Sequence, residues 1–147
     1  MQTLQEPAVS LESVKIRGLH LTSIDLDVTL AIKNPNPITA FLREFPFTVF
    51  FRTKAGKKEI ATGNTGKFEI PADQSITVTV PVTSFDLPLL EAIADIVERG
   101  DLQLGIEGDA VIDHIMGWTL HLVETVDVTR DELAEAIEGK LGEKKRT

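Results

Sequence analysis

Apolar and polar residues alternate along most of the chain, which is the pattern of strands with one buried and one exposed face. Between residues 24 and 32, every even position is apolar, while Asp25, Asp27 and Thr29 fall between them. Seven segments show this pattern more or less regularly. They span roughly residues 9–16, 24–32, 45–51, 58–62, 76–82, 102–112 and 118–128. About seven short strands separated by turns predict a mainly β protein built as an antiparallel β-sandwich.

The first of these segments changes phase partway along. Val9 and Leu11 share one parity, whereas Val14 and Ile16 share the other. A slip of one residue would turn one of the two sets towards water. We therefore expect a bulge or a break near Glu12–Ser13.

Two later segments are also irregular. Gly108 interrupts the alternation of residues 102–112, which suggests a second bulge at that glycine. The segment 118–128 is expected to change parity near Glu124.

Two other segments have apolar residues at helical spacing. Residues 86–100 begin with a capping aspartate and end at Gly100, the residue type that commonly follows a helix. Thr129 and Glu132 form a capping box at the start of a second helix. We expect the first helix to close one end of the sandwich domain, and the second to belong to a C-terminal extension over 129–147.

Composition restricts the partners of this domain. The 147 residues suit one domain, and they carry a net charge of −8. An acidic surface repels nucleic acid and disfavours self-association, so we expect a soluble monomer. The chain has no cysteine, which excludes disulfides and thiol catalysis.

The sequence offers no signal for a membrane or for export. No apolar run approaches the roughly 20 residues of a transmembrane helix. The start of the chain lacks the pattern of a secretory signal. We expect a cytoplasmic protein, with export as the alternative if a signal or lipoprotein peptide has been removed.

Catalytic and metal-binding patterns are missing from the sequence. The histidines His20, His114 and His121 have no recognised ligand spacing, although Asp109 and Asp113 lie near His114 and suggest an Asp–His pair. No serine lies in a nucleophile motif, and no glycine-rich phosphate loop is present. We expect no enzymatic activity, no metal and no cofactor.

The segment 113–118 carries apolar residues in a predicted turn. Ile115, Met116 and Trp118 would form an apolar tip for contact with client proteins if they were exposed. The alternative is that Trp118 and one neighbour pack into the end of the sandwich.

The strand at 24–32 ends in the motif Asn34-Pro35-Asn36-Pro37. The two prolines cannot donate to a sheet, so the motif ends the strand. We expect a rigid junction in which the asparagines bond their own backbone. Direct contact with a partner is the alternative.

This motif carries a family resemblance together with the segments around it. These segments are Pro7-x-Val9-x-Leu11, Phe47–Phe50, Ile60–Gly63, Ile70–Ala72, the strand 76–82 and the helix after Asp86. Over roughly residues 7–128 the chain resembles the group-2 late embryogenesis abundant family, whose domain is also called the water-stress and hypersensitive-response domain. The resemblance implies an immunoglobulin- or fibronectin-III-like sandwich without catalytic residues. It also implies protection of client proteins from denaturation or aggregation under desiccation, cold or heat.

Two functions therefore remain open. The first is a stress-protective domain that touches clients weakly. The second is an interaction module that binds a specific protein, or an apolar ligand between the sheets or under the helix at 86–100. A hydrolase or a metalloenzyme has the weakest support.

Overall fold

Antiparallel β-strands make up the regular structure of the described residues, which are 5–20, 22–53, 56–85, 101–113 and 117–129 in this computed structural model. The nine strands found there are β1 (Ala8–Leu19), β2 (Ile24–Lys33), β3 (Ala40–Glu44), β4 (Pro46–Thr53), β5 (Gly56–Asn64), β6 (Phe68–Ile70), β7 (Ser75–Ser84), β8 (Asp101–Asp113) and β9 (Trp118–Thr129). The predicted mainly β, antiparallel class is confirmed. The predicted helices, at 86–100 and after Thr129, lie outside the described residues. Within those residues, no helix is long and apolar enough to cross a membrane.

The strands form two sheets. The smaller has the order β1-β2-β7, and the larger has the order β5-β4-β8-β3-β6 with β9 also paired to β8. Strand β8 has 13 residues, so β4 and β3 can follow one another along one of its sides while β9 pairs along the other. The strand predicted at 45–51 corresponds to β4, whereas the sequence did not predict β3 or the three-residue β6.

The core lies between the two sheets. On β2 the alternation is realised as predicted, because Ile24, Leu26, Val28, Leu30 and Ile32 are at most 1% exposed. They belong to one buried cluster with inward side chains from the other sheet, including those of β4 and β8. Burying each such side chain stabilises the fold by about 1.5–3 kcal/mol. The two sheets are therefore held face to face as a β-sandwich.

The bulge predicted in the first strand is confirmed. The pairing of β1 with β2 shifts by one residue between Leu11 and Ser13, and it shifts again between Ile16 and Gly18. The first shift lets Leu11 and Val14, which have opposite parity, both face the core.

The bulge predicted at Gly108 is wrong. Gly108 pairs with Leu122 in a ladder between β8 and β9 that runs without a shift. A Cβ atom at position 108 would lie 2.3 Å from the carbonyl oxygen of Pro46. Glycine is needed there because the neighbouring backbone approaches closely, and the register shift falls instead on β3, between Leu42 and Glu44.

The parity change predicted near Glu124 is also wrong. Glu124 pairs with the fully buried Ile106 in the same unshifted ladder, so its side chain projects on the inner side of β9. There its Oε2 atom accepts a hydrogen bond of 2.7 Å from the backbone N–H of Leu11. A charged residue at an inner position therefore links β9 to β1 of the other sheet.

Candidate functional site

The motif Asn34-Pro35-Asn36-Pro37 lies just beyond the end of β2. Asn34 and Asn36 are 0% and 1% exposed, which is unusual for amide side chains. Pro35 is half-buried and Pro37 is exposed. A buried amide must be hydrogen-bonded to be tolerated, so the partners of the two asparagines define what the motif does.

Asn34 connects three backbone segments. Its Nδ2 atom donates to the carbonyl oxygens of Ile38 at 2.9 Å, Ile70 at 3.2 Å and Pro71 at 3.3 Å. Its Oδ1 atom accepts from the N–H of Asn36 at 3.1 Å. The side chain thereby ties the end of β2 to the end of β6 and the turn after it.

Asn36 holds the start of the described chain. Its Oδ1 atom accepts from the N–H of Gln5 at 2.6 Å, and its Nδ2 atom donates to the carbonyl of Gln5 at 2.7 Å. The carbonyl of Asn36 accepts from the N–H of Asp73 at 2.9 Å. Because the amide of Asn36 bonds only main-chain atoms of residue 5, this contact does not depend on the side chain at that position. The amide groups of both asparagines are therefore hydrogen-bonded to other parts of the protein.

The proposed apolar tip is only partly described. Trp118 begins β9 and pairs with Ile112, which is fully buried. Directly paired residues project from the same face of a sheet, so Trp118 points to the interior side, where it is half-buried. Ile115 and Met116 lie outside the described residues, as does His114.

His20 lies against a carboxylate at the end of the smaller sheet. Its Nε2 atom is 2.8 Å from Oδ2 of Asp25, and the hydroxyl of Thr83 donates to Oδ1 of Asp25 at 2.7 Å. The hydrogen bond from His20, followed by that from Thr83, lowers the pKa of Asp25 below its ordinary value. The arrangement stabilises a carboxylate and does not activate a nucleophile.

A second group of charged residues lies on the outer face of the larger sheet. His121 places Nδ1 2.8 Å from Oδ1 of Asp109 and Nε2 3.7 Å from Oε1 of Glu107. Lys57 forms a hydrogen-bonded ion pair with Glu107, and this bond lowers the pKa of Glu107. Asp109 thus pairs with His121, a residue that sequence spacing did not suggest. Across the described ranges, no three histidine, cysteine or acidic residues are grouped so as to hold a metal ion.

Several large apolar side chains are exposed. Phe41, Phe68 and Phe85 are 53%, 39% and 73% exposed. The first two line an open groove of about 410 Å³ at the sheet edge formed by β3 and β6, whose other lining residues include Arg43, Lys67, Glu69 and Asp113. An apolar centre with charges of both signs around it is typical of a surface that contacts other proteins.

The structure thus defines a two-sheet antiparallel β-sandwich whose most distinctive internal feature is the buried asparagine motif. Residues 29–126 match the family model described as late embryogenesis abundant protein, LEA_2. The chain belongs to this family, which confirms the resemblance seen in the sequence. No curated protein matches the chain in sequence.

Solved structures share the fold at low sequence identity. The solution structure of a protein from Arabidopsis thaliana superposes with a TM-score of 0.62 at 16% identity, covering 88% of this chain and 85% of that one. The crystal structure of a protein from Archaeoglobus fulgidus gives a TM-score of 0.50 at 8% identity, covering 86% and 97% of the two chains. At these identities, the likeness concerns the fold alone.

Proposed function

We propose that this chain is a non-enzymatic stress-protective protein that prevents client proteins from denaturing or aggregating during desiccation, cold or heat. The observation that carries the proposal is the family match over residues 29–126. The proposal includes a cytoplasmic location and an immunoglobulin- or fibronectin-III-like domain over 7–128 with a helical extension over 129–147.

The exposed surface supports weak contacts with clients. Phe41 and Phe85 stand out among polar neighbours, and they are 53% and 73% exposed. Burying one such side chain stabilises a complex by about 1.5–3 kcal/mol, while association costs at least about 4 kcal/mol. Contacts through single side chains are therefore transient. The net charge of −8 then keeps protein molecules and their clients apart in solution.

Ile115, Met116 and Trp118 remain our candidate client contacts. The half-buried position of Trp118 leaves only part of its ring for a client. Within the proposal, the asparagine motif serves the fold and leaves client contact to other residues, because the amides of Asn34 and Asn36 bond internal backbone.

A client assay tests the proposal. A labile dehydrogenase is dried or heated with this protein, or with an equal mass of albumin, and its activity and light scattering are followed. We expect protection beyond that given by albumin. Met116→Ser with Trp118→Ala should reduce protection in a folded protein, whereas Val123→Ser, which removes an exposed apolar residue elsewhere, should not. Protection equal to that of albumin would refute the function.

An interaction or apolar-ligand module is the second candidate. The groove of about 410 Å³ beside Phe41 and Phe68 favours it, since its volume lies in the range of small-molecule sites. The fluorescent probe anilinonaphthalene sulfonate should then bind the folded protein, and Phe41→Ser should weaken that binding. Unchanged binding by Phe41→Ser would exclude this groove as an apolar-ligand site.

A further inference from the structure

Most sheet edges in the described part of the chain are linked to the opposite sheet. The β9 edge meets β1 through the hydrogen bond from Leu11 N–H to the Glu124 carboxylate. The β5 edge meets β7, where the hydroxyl of Ser84 donates to the carbonyl of Ile60 at 2.9 Å. These polar links satisfy or screen main-chain groups that would otherwise pair with another chain.

Strand β6 is a different kind of edge. It pairs with β3 alone among the described strands. Its last carbonyl, that of Ile70, is capped by Asn34, but Lys67, Phe68 and Glu69 before it are exposed. Neither Lys67 nor Glu69 makes an ion pair with a residue of the described ranges.

The sequence of this edge is complementary to itself. Lys67 directly precedes β6 and Glu69 lies within it. If the extended chain of β6 continues back through residue 67, Lys67 and Glu69 share one face, because they are two residues apart, and Phe68 lies on the other. In an antiparallel pair centred on Phe68, each lysine would oppose a glutamate and the two phenylalanines would oppose one another. A parallel pair in register would instead place lysine against lysine.

We propose that β6 pairs antiparallel with β6 of a second copy of this chain, so that Lys67 faces Glu69 and Phe68 faces Phe68 across a two-fold axis. A two-fold contact requires a self-complementary surface, and this segment is one. The whole chain carries a charge of −8, which repels a second copy, but Lys67 and Glu69 cancel locally. Opposite-charge and aromatic cross-strand pairs both stabilise such a ladder.

The dimer is weak because the strand is short. Only the three residues of β6 and its flanks meet, far less than the roughly 800 Å² per partner of a standard stable interface. This replaces the monomer expected from composition with a monomer–dimer equilibrium that shifts with concentration. It is independent of client protection.

Sedimentation equilibrium at protein concentrations up to about 1 mM tests the proposal. We expect the average mass to rise from 16.1 kDa towards twice that value as concentration rises. Lys67→Glu should weaken dimerisation about tenfold, because it replaces two attractive cross-strand pairs with two repulsive ones. The double variant Lys67→Glu/Glu69→Lys should restore it. The control Lys58→Glu makes the same change in net charge at an exposed position on β5 and should have a much smaller effect.

Three results would overturn the proposal. The wild-type protein staying at the monomer mass throughout would exclude the dimer. Equal weakening by Lys58→Glu and Lys67→Glu would show that net charge, and not β6, controls association. Failure of the charge-swapped double variant to dimerise, with a circular dichroism spectrum like the wild type, would exclude the antiparallel register.

Discussion

Removing the amide of Asn34 measures how strongly the asparagine motif holds the fold. Asn34→Ala deletes the donor to the carbonyls of Ile38, Ile70 and Pro71 and the acceptor for the N–H of Asn36. The bonds to Ile70 and Asn36 are buried, so water cannot readily replace them. Each buried group left unsatisfied costs about 1–3 kcal/mol, and the remaining bonds contribute about 1 kcal/mol. We therefore expect a loss of about 3–7 kcal/mol.

Urea unfolding followed by Trp118 fluorescence and circular dichroism checks this value. A loss of that size is a large share of the roughly 5–15 kcal/mol that stabilises an ordinary domain, so the midpoint should fall steeply at an unchanged slope. Asn64→Ala is the matched control, because Asn64 is exposed while its Oδ1 atom also accepts two backbone hydrogen bonds. The control should lose about 1 kcal/mol. Equal losses in both variants, or a loss below about 1 kcal/mol in Asn34→Ala, would refute the reasoning.

Three further predictions follow from other contacts. Gly108→Ala should destabilise the protein by about 2–3 kcal/mol in urea unfolding, because its Cβ atom would meet a carbonyl oxygen at 2.3 Å; a neutral effect would contradict this. Glu124→Ala should cost about 1–3 kcal/mol and speed amide exchange at Leu11, while Glu124→Gln keeps an acceptor and should cost less. The pKa of Asp25 is lowered in the folded state by the hydrogen bond from His20, so its contribution to stability is present above the unfolded pKa and lost as pH falls through the folded one. Asp25→Asn should therefore flatten the acid limb of a stability–pH profile, and an unchanged limb would exclude this pair as its cause.

The parts of the fold that the sequence predicted are those set by local alternation. Strand β2 was predicted correctly because it lies between β1 and β7 and buries one face along its whole length. The bulge near Glu12–Ser13 was also predictable, since a change of parity within one strand has few other solutions.

The errors arose where a distant segment determines the role of a residue. A glycine in a strand is compatible with a bulge or with a close backbone approach, and only the position of Pro46 decides for Gly108. The prediction at Glu124 was wrong because a charged residue at an inward-facing position looks, in the sequence, like a change in the alternation of apolar and polar residues. Its partner, the N–H of Leu11, is 113 residues away in the chain.

The candidate site shows the same division. The sequence predicted that the asparagines after β2 would form a rigid junction by bonding their own backbone, as the side chain of Asn34 does with the N–H of Asn36. It could not predict that Asn36 would bond Gln5, 31 residues away, or that Asn34 would cap Ile70, 36 residues away. Pairing of Asp109 with His121 likewise depends on the register of β8 with β9 and not on spacing.

Three polar side chains share one physical role that depends on contacts between distant segments. Glu124, Ser84 and Asn34 each bond a main-chain group of another strand or turn at the margin of a sheet. Under the proposed protective function such links matter, because an open edge would pair with an extended client chain. If these links protect the edges, Glu124→Ala should promote aggregation on mild heating more than its loss of stability explains. The comparison is the core variant Ile106→Val, studied at the temperature at which its free energy of unfolding equals that of Glu124→Ala. Equal aggregation at equal stability would mean that the link serves only the fold.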